Sequence, residues 1–302
     1  MFKILLIGTY EQSDYEKWRG GEIVSNFNPY DNKNNEKINL DVDFDLAVAV
    51  IPNYKKLAAE PICEVLRNTE KPVCILKMRL NSYSDLEPLR NLTDSERSRL
   101  FVGEQYQYHP GALKLKSLLD SNSLGSVESV AWRTVLKYEH ADWMDAYNHM
   151  ILEDLSYHHF TDLIIWFGEI HGSVYADSFA PEWMRDKGFA SAVIKTDSGI
   201  HLTYDVRWGA AETDTTFFGD ITVQGSKGQF RTDGNSGNDG SGEGTSLYQG
   251  WAGIIDHFCD VVKGKPAVSD DGVILTFDQF DHAAKLMYSA VKSAETNEVI
   301  FI

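Results

Sequence analysis

The residues best suited to chemistry lie in one short stretch. Between Leu152 and Gly168, Asp154, His158 and Asp162 recur at intervals of four. Residues four apart share one face of a helix, so the three form a polar stripe. Phe160, Leu163, Ile164 and Phe167 cluster on the opposite side, with His159 at the edge of that apolar arc. A carboxylate one turn from an imidazole can orient the ring and raise its basicity, as a general base requires. The same stripe also reads as a solvated helix face that happens to hold a histidine. A metal held by all three is conceivable, although one helix offers few ligands. A second candidate is Lys77, directly after the apolar run Val73–Leu76. A lysine at the end of a buried strand can polarise a substrate oxygen, or simply be a solvated strand-end residue.

These side chains need a frame. Lys3–Ile7, Asp45–Ile51 and Val73–Leu76 are short apolar runs of the buried parallel-strand kind, and Glu22–Ser25 and Leu100–Gly103 are further strands. Helical spacing falls at Tyr15–Arg19, Tyr54–Arg67, Asp85–Leu92 and Asp94–Leu100. Strand–helix alternation implies a parallel sheet covered by helices. Near Pro110 the pattern changes. A helix at Ala112–Ser121 leads to a strand at Val127–Tyr138, and one long helix covers Ile151–Phe167. Then come strands at Gly172–Asp177, Ala190–Thr196, Ile200–Trp208, Asp220–Gln224 and Gly228–Arg231. Strands in succession imply an antiparallel sheet. Asp233–Ser246 is rich in Gly, Ser, Asn and Asp and reads as a loop. Helices at Trp251–Lys263 and Phe277–Ala294 and a strand at Val299–Ile302 close the chain. The fold class expected is α/β: a truncated Rossmann-like parallel domain over 1–110, then an α+β domain with a mostly antiparallel open sheet over 111–302.

Composition limits the partners. The 302 residues carry 28 Lys and Arg against 45 Asp and Glu, a formal charge of −17. Such a surface repels phosphate backbones and anionic lipid, so neither nucleic acid nor membrane is an expected partner. A small molecule is, because a local pocket can have either sign. Cys63, Cys74 and Cys259 are odd in number, far apart and set in apolar runs. They read as buried, reduced thiols of a cytoplasmic protein.

Several segments together resemble the glucose–fructose oxidoreductase / inositol dehydrogenase (Gfo/Idh/MocA) family. That family carries D-x-x-x-H on a helix, often followed by an apolar residue and F-D-L. Asp154 and His158 match the spacing. Thr161 stands where the second Asp would be, and alignment through Asp162-Leu163 makes His159 the family histidine instead. Lys71-Pro72 through Lys77 resembles the segment around E-K-P, with Lys77 at its lysine. Val102–Pro110 resembles the passage between the two domains, with Gln107 in place of the usual Arg. Leu124-Gly125-Ser126-Val127 and Ile221–Gly228 resemble two structural turns. The resemblance covers roughly Asp45 to Ile302.

It implies an NAD- or NADP-dependent oxidoreductase acting on a sugar, cyclitol or other small polar molecule. Lys77, Asp154 and His158 would be catalytic, with His159 the alternate register. Gly8, Thr9, Ile51, Pro52, Asn53 and Lys77 would border the cofactor, and Tyr138, His140, Trp143 and Trp208 could line the pocket. The family's second-domain sheet packs face to face, which implies a homo-oligomer, a dimer or tetramer. One departure matters. A dinucleotide loop has G-x-G-x-x-G, but here Gly8 is followed by Thr9-Tyr10-Glu11-Gln12-Ser13-Asp14. The chain between Gly8 and Asp45 is also too short for the usual strands and helices. The adenosine half is therefore expected to be trimmed. The alternative is a non-catalytic binding or assembly subunit that has lost the cofactor.

Overall fold

The structure is a computed structural model, and it describes residues 1–9, 18, 20–31, 37–52, 55–76, 78–235, 248 and 250–302. In chain order its strands are β1 Phe2–Gly8, β2 Gly21–Phe27, β3 Leu46–Val50, β4 Val73–Leu76, β5 Leu100–Gly103, β6 Val127–Lys137, β7 Gly172–Phe179, β8 Phe189–Thr196, β9 His201–Ala210, β10 Asp220–Gly225, β11 Gly228–Thr232, β12 Val268–Ser269, β13 Gly272–Val273, β14 Leu275–Thr276 and β15 Ile300–Phe301. Its longer helices are α1 Ala59–Asn68, α2 Pro110–Asp120, α3 Ser156–Phe167, α4 Gly250–Val262 and α5 Phe277–Thr296.

The chain forms two compact units, Met1–Gln105 with Leu247–Asp281, and Tyr106–Ser246 with His282–Ile302. The break after Gln105 lies close to the boundary expected at 110. The segment Leu247–Asp281, expected in the second domain, returns to the first. Strand pairing is the reason: β14 adds to the free edge of β5, Leu275 opposite Val102.

In the first unit the sheet order is β14-β5-β4-β3-β1-β2, parallel except for β14. Ile4–Ile7, Leu46–Val50 and Val73–Leu76 are buried throughout, as central parallel strands must be when both faces are covered. β1 pairs β2 on one side and β3 on the other, so strand order reverses at Gly8. Such a switch point opens a crevice at the carboxyl ends of the strands. Among the described residues β2 is the last strand on this side of the sheet. The helices expected over Asp85–Leu92 and Asp94–Leu100 are short: a 3-10 turn at Tyr83–Leu86 runs into an α turn at Glu87–Arg90, and a single turn stands at Asp94–Arg97. The last is a capping box, in which Thr93 and Glu96 satisfy each other's backbone N–H groups. The expected helix at Tyr15–Arg19 and most of the loop at Asp233–Ser246 lie outside the described residues.

In the second unit the order is β11-β10-β6-β9-β8-β7-β15. Every pair is antiparallel except β6–β9, which runs parallel from Ser129↔His201. The sheet is thus mostly antiparallel, as expected, with its one parallel pair at the centre. The long connection through α3 allows the parallel pair. Burial alternates along the strands. Trp132, Val174, Ala176, Ile194 and Tyr204 face the core, while Arg133, Tyr175, Asp177, Val193 and Asp205 face outward. All three cysteines are buried and free, as expected.

Candidate functional site

The long helix expected over Ile151–Phe167 is interrupted. Residues Ile151–Leu155 form a π turn, in which the Ser156 backbone N–H reaches back five residues to the Ile151 carbonyl. Regular α-helix follows from Ser156. Glu153 fixes the start, its Oε2 accepting the His149 backbone N–H at 2.6 Å. Gly168 ends the helix at φ +74, a conformation that side chains resist. A π turn absorbs one extra residue.

The two histidines have opposite surroundings. His159 is fully buried. Its Nε2 lies 2.9 Å from the Phe217 carbonyl, which can only accept, so Nε2 carries the proton. Its Nδ1 accepts from the Tyr204 hydroxyl at 2.6 Å, and the same hydroxyl lies 2.9 Å from Ser156 Oγ. The ring stacks on Trp132 with centroids 4.4 Å apart. Burial pushes its pKa down to about 3. A neutral ring with both nitrogens engaged cannot shuttle protons near pH 7. His158 is half-buried, between the rings of Tyr157 and Tyr106 at 4.0 and 5.2 Å.

Asp154 is half-buried and accepts the Tyr147 hydroxyl at Oδ1, 3.0 Å away. Asp162, expected on the same outward stripe, is fully buried. The helix is enclosed on nearly all sides, so spacing by four does not produce a solvent-facing stripe. The three-residue metal reading does not gather either. Among the described residues, the grouping close enough to share an ion is His140, Asp145 and Asp186. There, His140 Nδ1 lies 2.8 Å from Asp186, Tyr138 donates to Asp186 at 2.6 Å, and Arg185 donates to Asp145 at 2.7 Å. Those donors already engage both carboxylates. Tyr138 and His140 thus have structural partners, and Trp143 packs on Trp208 at 5.7 Å.

In the first unit, Gly8 takes φ +106, and a Cβ there would collide with the Val50 carbonyl oxygen. Strand packing alone therefore demands this glycine. Thr9 is exposed, Pro52 half-buried and Ile51 buried, all at the strand ends beside the switch point. Asn53 and Lys77 lie outside the described residues. Sequence reading missed Tyr147, Tyr204 and Ser156. Tyr147 precedes Asp154 by seven residues across a non-helical bend, so no periodic signal marks it. It did flag Gln107 and Thr161 as departures from the family pattern, and these two bond each other, Gln107 Nε2 donating to Thr161 Oγ1 at 2.7 Å.

Residues 112–231 match the family model of the GFO/IDH/MocA C-terminal domain. Solved structures similar over nearly the whole chain share its two-domain fold. An oxidoreductase from Thermotoga maritima superposes with a TM-score of 0.73 at 16% identity, over 99% of this chain and 98% of that one. A myo-inositol dehydrogenase from Corynebacterium glutamicum gives 0.74 at 12%, over 100% and 98%. The WlbA dehydrogenase from Bordetella pertussis, solved with NADH and UDP-GlcNAcA, gives 0.73 at 15%, over 100% and 98%. No curated protein matches the chain. Asp154, His158 and the buried His159 all fall inside the GFO/IDH/MocA domain, and β1, β3 and β4 precede it.

Proposed function

We propose that the protein is an NAD(P)-dependent oxidoreductase that moves a hydride to or from a sugar, cyclitol or other small polar substrate. The observation that carries this reading is the half-buried His158, one turn beyond Asp154, in the GFO/IDH/MocA domain. Structural neighbours named as dehydrogenases, one holding NADH, support it.

The strand ends fit the nicotinamide half of a dinucleotide. Pro52 offers uncharged, half-exposed surface beside an exposed Thr9 at the switch point, above the buried Ile51. Gly8, Thr9, Ile51, Pro52, Asn53 and Lys77 would hold the cofactor. When bound, NAD(P) supplies a hydride acceptor or donor. His158 takes the substrate hydroxyl proton as the carbon–hydrogen bond breaks, and returns it in the reverse direction. Asp154 stabilises the imidazolium that results. Lys77 polarises the substrate oxygen.

The single glycine after β1, itself explained by packing, favours the second reading of a binding or assembly subunit without cofactor. Titrating the purified chain with NADH and NADPH decides between them. Saturable binding in the micromolar range is expected. Absence of saturation up to millimolar concentration would sink the dehydrogenase reading.

The open sheet of the second unit supports a homo-oligomer, a dimer or tetramer. Its outward face holds a groove of about 600 Å³, lined by Arg133 and Arg231 as well as Asp177, Asp205 and Asp220. A face with both signs of charge can complement a copy of itself across a twofold axis. Among the described residues no helix is long and apolar enough to cross a membrane. The three free thiols support a reducing compartment such as the cytoplasm.

A further inference from the structure

We infer that Tyr147 is a positioning residue for Asp154 and, through it, for His158. This rests on the reading of Asp154 and His158 as the proton-handling pair. Asp154 stands inside the π turn. In a regular helix the repeat sets the direction of each side chain, but a π turn breaks that repeat. A partner outside the helix can then fix the direction of the carboxylate. The Tyr147 hydroxyl does this, donating to Oδ1 at 3.0 Å.

Tyr147 is itself well held. Its backbone N–H bonds the Met144 carbonyl at 3.1 Å. Its ring meets Trp143 edge-on, with centroids 6.1 Å apart, and Trp143 packs on Trp208. The chemistry of the donor also matters. A phenol orients a carboxylate without cancelling its charge, and it occupies only one of the two oxygens. A lysine or arginine at this place would neutralise the charge that a neighbouring imidazole needs. His158 lies between the phenol rings of Tyr106 and Tyr157, and its sequence neighbour His159 is held neutral by burial. A carboxylate aimed at an imidazole one turn away favours its charged form, so the aim of Asp154 is what the reading of the pair requires.

The test needs no substrate. Histidine-ring ¹⁵N spectra of the full chain are recorded from pH 4.5 to 8.5, with H158Q assigning the His158 signals. Asp154→Asn, with Asp154→Ser as a second variant if the first fails to fold, should lower the His158 midpoint by about 1 pH unit. Tyr147→Phe keeps the ring and removes only the hydroxyl, and should lower the midpoint by about half as much. If the Asp154 variants shift His158 and Tyr147→Phe leaves it unmoved, Tyr147 has no positioning role. If the Asp154 variants leave His158 unmoved as well, the pairing of Asp154 with His158 falls, and the role of Tyr147 falls with it.

Discussion

At the scale of single residues, two neighbouring histidines have opposite fates. His159 is a core residue whose nitrogens hold Phe217 and Tyr204, so His159→Gln should cost roughly 2–4 kcal/mol of stability. His158→Gln, on a half-buried surface, should stay within about 1 kcal/mol. Urea unfolding measures both. The pH dependence follows from the same burial. In the unfolded chain His159 binds a proton below about pH 6.5, whereas the folded chain holds it neutral down to about 3. Its contribution is therefore complete above about pH 6.5 and is lost as pH falls through that window. The wild type should lose roughly 2 kcal/mol more than His159→Gln between pH 7 and 5. An equal loss in both would show that His159 is not buried neutral. Spacing could not separate these residues, because a period of four assumes a regular helix. The π turn and the fit of Trp132 over the ring, which decide burial, leave no periodic trace.

At the scale of elements, most of the frame was legible. Val73–Leu76 and Leu100–Gly103 have the bounds read from their apolar runs, because a strand covered on both faces needs apolar side chains along its whole length. The stretches read as helices at Asp85 and Asp94 are helical but end early, at Arg90 and Arg97, since capping signals mark where a helix starts and not how far it runs. The parallel β6–β9 pair was hidden because strand partners depend on the whole sheet and not on order along the chain. Gly8 ends β1 and gives a prediction at this scale. Gly8→Ala should lower stability by more than about 2 kcal/mol in cofactor-free protein, from its positive φ and the collision with Val50. Thermal unfolding without NADH or NADPH checks it. Unchanged stability would refute the packing account of Gly8.

At the scale of the whole molecule, the outward face of the second sheet gives a test of assembly. Light scattering should report a dimer or tetramer. Val193 is 41% exposed on β8, and Val193→Asp should shift that mass toward the monomer while circular dichroism stays the same. A wild-type monomer would remove the proposed interface. The route of the chain has a further consequence, one for synthesis. β5 is complete at Gly103, but the strand that covers its edge arrives with Leu275 and Thr276. A ribosome must therefore add roughly 170 more residues, at about 5–20 per second, before that edge is sealed. For all of that interval the nascent first sheet offers an open ladder to any passing strand. A gene cut after Gln105 makes the exposure permanent, so that fragment should aggregate in the cell, and restoring Leu247–Asp281 on a second plasmid should return part of it to the soluble fraction.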